Sequence, residues 1–171
     1  MAGPVYFISD AHLGSSADPA TDAPRLERLL PFLRHVREKG AAHLYIVGDL
    51  FDFWFEYAHV MPWRHAGILT EIRAVVDSGV PVTFLGGNHD WWVGPVFEEF
   101  AGMTVHREGI TVEHQGVRMY LHHGDGLASK GDSGYVVLKA VLRNRWLTRS
   151  TKWTVCRSEV LRQAHHRTRR T

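Results

Sequence analysis

The chain has 171 residues, a formal net charge of +2 and 44% hydrophobic residues, which is the composition of a globular protein with one sizeable core. It contains no apolar run near the roughly 20 residues that a membrane-spanning helix needs, and its first residues lack the basic and apolar regions of a secretory signal. The single cysteine, Cys156, excludes an internal disulfide and fits a reducing compartment, so we expect a cytoplasmic protein.

The first half of the chain alternates predicted strands and helices. Strand-length apolar runs occupy residues 5–9, 43–47 and 80–85. Apolar residues recur at helical spacing in residues 25–39 and again in residues 64–77. Pro31 should kink or interrupt the first of these helices, and Gly40 should end it. This order predicts βαβ units and a parallel sheet.

The second half changes pattern. A short helix is expected at residues 95–100, and residues 110–114 and 117–122 flank "QG", a typical two-residue hairpin turn. Helical spacing returns between Tyr135 and Val155. We therefore expect an α/β fold with mixed sheets in a domain spanning residues 1–155.

The C-terminal part of the chain is strongly basic. Between Arg143 and Arg170 nine lysines and arginines are opposed only by Glu159. Residues 156–171 are interpreted either as a solvated, partly disordered tail or as a segment that binds phosphate, anionic lipid or nucleic acid.

Polar residues with metal-binding side chains follow four of the predicted strands. In chain order they are Asp10 and His12, Asp49 and Asp52, the run Asn88, His89 and Asp90, and finally His122, His123 and Asp125. Each group alone is typical of a turn or a cap, but ligands of open α/β sheets bind beyond the carboxyl ends of the strands. The joint occurrence predicts one shared site. Adjacent residues of a strand point to opposite faces, so one of the two neighbouring histidines is expected to be structural.

The candidate ligands are carboxylates, an amide and imidazoles, without thiolate. Such a set suits Mn²⁺, Fe²⁺, Zn²⁺ or Mg²⁺. A carboxylate such as Asp49 can bridge two ions that together assist a phosphoryl transfer. The aromatic residues that follow Asp49 are expected to bury Phe51 and either Trp54 or Phe55.

Four sequence blocks, "DAH", "GDLFDFW", "GGNHDWW" and "HHGDGL", resemble in this order the calcineurin-like metallophosphoesterase superfamily. Their aromatic context is similar to that of the UDP-2,3-diacylglucosamine hydrolases of lipid A biosynthesis, over residues 5–146. The resemblance implies a metallophosphoesterase-type α/β sandwich. It also implies hydrolysis of the pyrophosphate bond of UDP-2,3-diacylglucosamine to lipid X and UMP, in the cytoplasm or peripherally on the inner membrane.

By position, the resemblance implies two divalent ions, Mn²⁺ before Fe²⁺, Zn²⁺ or Mg²⁺. It assigns Asp10 and His12 to the first ion, Asp49 to both, and Asn88 and His123 to the second.

The same resemblance implies roles beyond metal binding. His89 would face the substrate as a proton donor or as a stabiliser of negative charge, and Asp90 would orient it. Asn88, His89 and Asp132 would contact the substrate, and Asp125 would support the loop around the metal-binding histidine. Trp91 and Trp92 would wall the site for acyl chains, or pack in the core.

The family pattern ends in a Gly-His-x-His motif that this sequence lacks, since its late histidines, His165 and His166, lie in a basic context. We therefore expect a C-terminally incomplete fold and slow hydrolysis, or none. Two alternatives stay open. One is a non-catalytic protein with the metallophosphoesterase fold. The other is a phosphatase acting on nucleotides or nucleic acid, although nucleic acid is not an expected partner.

Overall fold

Four parallel strands form one sheet in chain order in the computed structural model, which describes residues 3–16, 18–56 and 61–124. The strands are β1 (Val5–Ile8), β2 (His43–Val47), β3 (Val82–Leu85) and β4 (Thr104–His106). Because all four run in the same direction, their carboxyl ends meet at one edge of the sheet. The predicted parallel sheet is confirmed. The fourth strand was not predicted, because three residues are too few to show an alternating pattern.

Two helices, α1 (Ala23–Glu38) and α2 (Ala66–Asp77), pack against each other and cover the sheet. Their buried stripes meet Leu44, Ile46 and Phe84 of the strands in one apolar core. Helix α1 continues through Pro31, contrary to the expected interruption. The proline is exposed and costs one hydrogen bond, which the buried stripe on both sides of it offsets. No helix of the described residues is long and apolar enough to cross a membrane.

Glycine ends the first helix as predicted. Gly40 follows the last helical turn with φ +57°, a conformation that favours glycine, and its N–H donates to the Arg37 carbonyl.

A separate antiparallel hairpin follows, formed by β5 (Ile110–His114) and β6 (Val117–Leu121). Gln115 and Gly116 both have positive φ, which is the backbone of the predicted tight turn. The short helix expected at residues 95–100 is one π-helical turn, Val96–Phe100. All described residues belong to one compact unit that ends at Asp125. The helical spacing of residues 135–155, the domain boundary at residue 155 and the basic tail concern the chain beyond the described residues and stay predictions.

Two aromatic residues after β2 are buried as expected. Phe51 and Trp54 are both 0% exposed, and their rings stack 4.7 Å apart. Trp54 also meets the ring of Phe97 edge-on at 5.0 Å. Its indole N–H donates to the buried carboxylate of Glu56, which also accepts from the Gly94 N–H. This cluster holds the loop after β2 against the loop after β3.

His65 gives the fold a predictable dependence on pH. Its ring is 6% exposed and packs on Phe51 at 4.4 Å. Burial, helped by the charge of Arg64 and opposed by Asp22, lowers the pKa of His65 to about 4. The unfolded chain therefore takes up this proton at a higher pH than the folded chain. The contribution of neutral, buried His65 to the free energy of unfolding should be fully present above pH 6.5 and should fall as the pH drops toward 4.

We expect the free energy of unfolding to fall by roughly 1–2 kcal/mol between pH 7 and pH 5 because of His65 alone. Urea unfolding at both pH values measures it. The variant His65→Gln cannot titrate and should show that much less pH dependence. An unchanged pH dependence in the variant would contradict the prediction.

Candidate metal centre

The loops after β1, β2 and β3 are joined side by side by backbone hydrogen bonds. Asp10 N–H donates to the Gly48 carbonyl at 3.2 Å, and His12 N–H donates to the Asp49 carbonyl at 2.9 Å. Trp54 N–H donates to the His89 carbonyl at 3.2 Å, which ties the second loop to the third. The side chains expected to share a site therefore come from loops that hold one another in place.

Three of these residues have a left-handed backbone. The φ angles are 54° for Asp10, 44° for His12 and 53° for Asp49. Within the described part of the chain, the only other residue except glycine with positive φ is Gln115, in the hairpin turn. Such a backbone costs of order 1–3 kcal/mol per residue and is concentrated at functional sites. The strain points to a site at this edge of the sheet.

Asp49 lies at the centre of the cluster, with 3% of its surface exposed. One carboxylate oxygen, Oδ1, accepts from the His89 N–H at 3.1 Å. The other, Oδ2, lies 3.7 Å from His12 Nε2 and 3.3 Å from His123 Nε2. A Cβ on Gly87 would collide with this carboxylate, so the glycine is required there. One buried oxygen thus faces two imidazoles.

The charge state of Asp49 follows from these contacts. Burial raises its pKa, but the hydrogen bonds and charges of His123 and His89 outweigh burial and place the pKa below its usual value. The carboxylate is therefore ionised at neutral pH.

Two groups of ligand atoms share Asp49. One consists of His12, Asp49 and His89, and the other of Asp10, Asp49 and His123, with all ligand atoms of a group within 4.8 Å of one another. The expected assignment placed Asp10 and His12 on one ion, whereas the structure groups Asp10 with His123. Asp10 Oδ1 also lies 3.8 Å from His12 Nε2, so all these side chains form one cluster.

Asn88 extends the second group. Its Oδ1 lies 3.2 Å from His123 Nε2, which places the amide beside the shared carboxylate. The five expected metal ligands are thus neighbours, and His89 lies beside them.

His123 reaches the site from the end of the hairpin. Its Nδ1 donates to the Val47 carbonyl at 3.0 Å, which leaves Nε2 to face Asp49. The Asp49 carboxylate, opposed by burial and helped by the Val47 carbonyl and the charge of Asp10, raises the pKa of His123 to about 9. A field that holds a proton this firmly also favours a bound cation.

The two neighbouring histidines divide as expected. His122 accepts from the Gly124 N–H at 2.7 Å and stacks on Tyr120, away from Asp49. Gly48 makes room for the other ring, since a Cβ there would lie 2.5 Å from His123 Nδ1.

Asp52 was expected to lie in the shared site, but the sequence assigned it no role. Its backbone carbonyl accepts from His89 Nδ1 at 2.6 Å, and its Oδ1 lies 3.3 Å from His12 Nδ1. Histidine ligands of metals are usually oriented by an acceptor on the second ring nitrogen, and the Asp52 carbonyl is that acceptor for His89. The second aspartate of "GDLFD" was the available signal, since it follows the central carboxylate by three residues.

Asp90 differs from its expected role. The carboxylate is fully buried and accepts from the backbone N–H groups of Gly87, Asp49, Leu50 and Phe51 at 2.8–3.3 Å. It therefore shapes the backbone around Asp49, while the His89 ring is held by Asp52. Burial raises the pKa of Asp90 to about 6, with the charge of Asp49 adding to the rise and the hydrogen bonds opposing it.

The donor set fits two divalent cations. Bonds of ~2.0–2.2 Å place the ligands of one ion about 3–4.4 Å apart, and each group needs only a small adjustment from 4.8 Å to reach this spacing. Oxygen and imidazole donors suit Mn²⁺, Fe²⁺, Zn²⁺ or Mg²⁺. Asp125 and Asp132 lie outside the described residues, and their roles stay predictions.

An aromatic wall lies next to the cluster. Trp92 is half-buried and meets the rings of Phe53 and Phe55 at 6.2 Å and 6.0 Å. Phe53 itself is 62% exposed, two residues after a core phenylalanine. Trp91 and Trp92 are both half-buried, and their role as a wall for acyl chains stays a prediction.

The fold and the cluster together define an α/β protein with a candidate dinuclear metal centre at the carboxyl edge of a parallel sheet. The family model for calcineurin-like phosphoesterases matches residues 3–156. The chain belongs to this family.

Curated relatives carry a more specific name. A UDP-2,3-diacylglucosamine hydrolase of Porphyromonas gingivalis (strain ATCC BAA-308 / W83) is 39% identical over 146 residues, which are 84% of this chain and 54% of the relative. One of Escherichia coli O6:H1 (strain CFT073) is 38% identical over 141 residues, which are 82% of this chain and 55% of the relative. The chain thus spans just over half the length of these relatives.

Similarity to solved structures is weaker. A protein of unknown function from Aquifex aeolicus superposes with a TM-score of 0.45 and 17% identity, over 80% of this chain and 69% of that chain. A likeness this distant carries no argument about function.

Proposed function

We propose that the chain provides the metal centre of a phosphoesterase that hydrolyses the pyrophosphate bond of UDP-2,3-diacylglucosamine to lipid X and UMP. The position of Asp49 Oδ2 between His12 Nε2 and His123 Nε2 carries the proposal, because one shared carboxylate is what a pair of adjacent cations requires. The names of the curated relatives support the substrate.

Two bound divalent ions would neutralise charge on the phosphate oxygens and make a water molecule a better nucleophile. The residues of the chain would hold the two ions as follows. Asp49 is the proposed shared ligand, with Asp10, Asn88 and His123 around one ion and His12 on the other. We assign Mn²⁺ to both positions, with Fe²⁺, Zn²⁺ and Mg²⁺ as the alternatives that the same donors accept.

His89 is the proposed proton donor. Because its Nδ1 donates to the Asp52 carbonyl at 2.6 Å, the ring is fixed and Nε2 is its remaining functional atom. That nitrogen stabilises the negative charge that develops on the phosphate, by a hydrogen bond or by proton transfer. Asn88 and Asp132 complete the proposed contacts to the substrate.

The aromatic surface supports an acylated substrate. Phe53 and Trp92 offer apolar area beside the metal ligands, which a sugar nucleotide without acyl chains would not use. A protein that takes such a lipid would act at the cytoplasmic face of the inner membrane.

The proposal is tested by UMP release from UDP-2,3-diacylglucosamine, with Mn²⁺ and with a chelator. UDP-N-acetylglucosamine and bis-p-nitrophenyl phosphate are the comparison substrates. Because the sequence lacks the Gly-His-x-His motif, we expect slow turnover that needs the metal and prefers the acylated substrate. The adjacent variants His123→Ala and His122→Ala form a matched pair. The first should reduce turnover by at least about 10–100-fold, since it removes a ligand and not only an outer contact. The second should stay near wild type.

Equal rates for the two variants, or turnover that survives the chelator, would contradict the proposal. Metal binding without turnover of any of the three substrates would favour the non-catalytic alternative.

A further inference from the structure

The hairpin that delivers His123 is not part of the main sheet. Within the described residues, β5 and β6 pair only with each other, as a separate two-stranded sheet. An isolated two-stranded hairpin is marginally stable in water. Its position over the sheet, and with it the position of His123, must therefore be set by side-chain contacts.

Contacts with the rest of the chain lie at both ends of the hairpin. At the tip, the exposed side chain of Gln115 donates from Nε2 to the Gly3 carbonyl at 3.3 Å, and two further contacts reach β2. At the tip, His114 Nε2 is hydrogen-bonded to Tyr45 Oη at 2.7 Å. At the open end, His123 Nδ1 donates to the Val47 carbonyl at 3.0 Å. Each strand of the hairpin has five residues, so the two ends lie about 13 Å apart at ~3.3 Å per residue step.

Tyr45 is a rigid anchor for the tip. It is 3% exposed, and its ring is stacked between Phe7 at 5.2 Å and His43 at 4.1 Å. His43 is fixed in turn, because its Nε2 lies 2.8 Å from Thr83 Oγ1 on the neighbouring strand. A buried tyrosine held in this way offers its hydroxyl in one place, and the His114 ring meets it there.

We propose that Tyr45 and His114 are positioning residues for the metal centre: their hydrogen bond fixes the hairpin so that His123 meets Asp49 and Asn88. A ligand must be held within roughly 0.5 Å of its working position. Without the Tyr45–His114 contact, only the exposed Gln115 hydrogen bond holds the tip, so the hairpin can pivot on its open end and His123 is no longer held to that precision. Metal binding should weaken at the group of Asp10, Asp49 and His123. It should be unaffected at the group of His12, Asp49 and His89, because no residue of that group lies on the hairpin. The inference rests on the proposed function, since it concerns the same metal centre.

The test compares two variants that each remove one tyrosine hydroxyl. Tyr45→Phe removes the anchor, and Tyr120→Phe removes an exposed hydroxyl of the same hairpin. Both are titrated with Mn²⁺ as the full chain, and thermal unfolding of the metal-free proteins checks that the fold is retained. We expect Tyr45→Phe to lower the affinity for one of the two Mn²⁺ ions by about tenfold, which is the lower end of the range for residues that support a ligand without binding the metal. The affinity for the other ion should not change. Tyr120→Phe should change neither.

A second pair of variants approaches the contact from the hairpin. His114→Leu should lower the affinity for the same Mn²⁺ ion as Tyr45→Phe does. His114→Gln keeps an acceptor for the tyrosine hydroxyl, so it should lower that affinity less than His114→Leu. In the metal-free protein, the Nδ1 proton of His123 should exchange faster in Tyr45→Phe than in Tyr120→Phe, because its bond to the Val47 carbonyl is loosened.

Equal Mn²⁺ binding by Tyr45→Phe and Tyr120→Phe would overturn the inference, and so would an equal loss of both ions in Tyr45→Phe. A His123→Ala variant separates this failure from failure of the proposed function. If that variant binds two Mn²⁺ ions like wild type, the metal centre itself is wrong and both proposals fall. If it loses one ion while Tyr45→Phe loses none, only the positioning role falls.

Discussion

Replacing Asp49 by asparagine should lower the affinity for each of the two Mn²⁺ ions by at least about 100-fold, or roughly 2.7 kcal/mol of binding free energy per ion. The variant keeps the size of the side chain but removes the charge from the oxygen that faces His12 and His123. Because both groups of candidate ligands contain Asp49, no other single substitution should affect both ions this strongly. A calorimetric or spectroscopic titration with Mn²⁺ measures the two affinities.

A matched control is available on α2. Asp77→Asn also removes one carboxylate charge, but from an exposed ion pair with Arg73, whose Nε lies 2.7 Å away. It should change neither Mn²⁺ affinity, and it should alter stability by less than about 1 kcal/mol. Loss of a single ion in Asp49→Asn would show that the carboxylate is not shared. Unchanged binding would show that it is not a ligand.

Replacing Asp90 by alanine should lower the free energy of unfolding by roughly 3 kcal/mol or more, since an unsatisfied buried donor costs about 1–3 kcal/mol and several would lose their acceptor. The carboxylate is fully buried and accepts four backbone N–H groups, which would be left without a partner in the variant. Chemical unfolding at pH 7 measures the effect.

Asp90→Asn gives the comparison for this prediction. It keeps one acceptor oxygen in the same volume, so its destabilisation should be clearly smaller than that of Asp90→Ala. A loss below about 1 kcal/mol in Asp90→Ala would contradict the assigned role, since even one unsatisfied buried group costs about that much.

The sequence predicts the family, the parallel sheet and the hairpin because each depends on a local and repeated signal. Apolar runs and helical spacing identify the elements, and "QG" identifies the turn. The meeting of the first three polar clusters follows from the rule for the ends of parallel strands, whereas the hairpin that carries the fourth cluster is a separate sheet brought there by side-chain contacts.

The arrangement within the cluster could not be predicted in the same way. The resemblance implied one ion for Asp10 and His12, whereas the structure, with a left-handed backbone at both positions, groups Asp10 with His123. A rare backbone conformation at a non-glycine residue leaves no mark on composition or spacing.

The roles of Asp90 and Asp52 show the same limit. The residue type predicts an acceptor, but not which donors will reach it. Asp90 lies next to His89 in the chain, yet its carboxylate turns toward the backbone of the preceding loop, and Asp52 takes the contact with the imidazole. Only the packing of the three loops against one another decides between these partners.

The most direct test is a crystal structure of the chain with Mn²⁺, using anomalous diffraction at the manganese edge. We predict two anomalous peaks about 3.5–4 Å apart, both bonded to Asp49, with His123 on one ion and His12 on the other. No peak at Asp49, or a single ion that leaves either histidine unbound, would contradict the dinuclear centre.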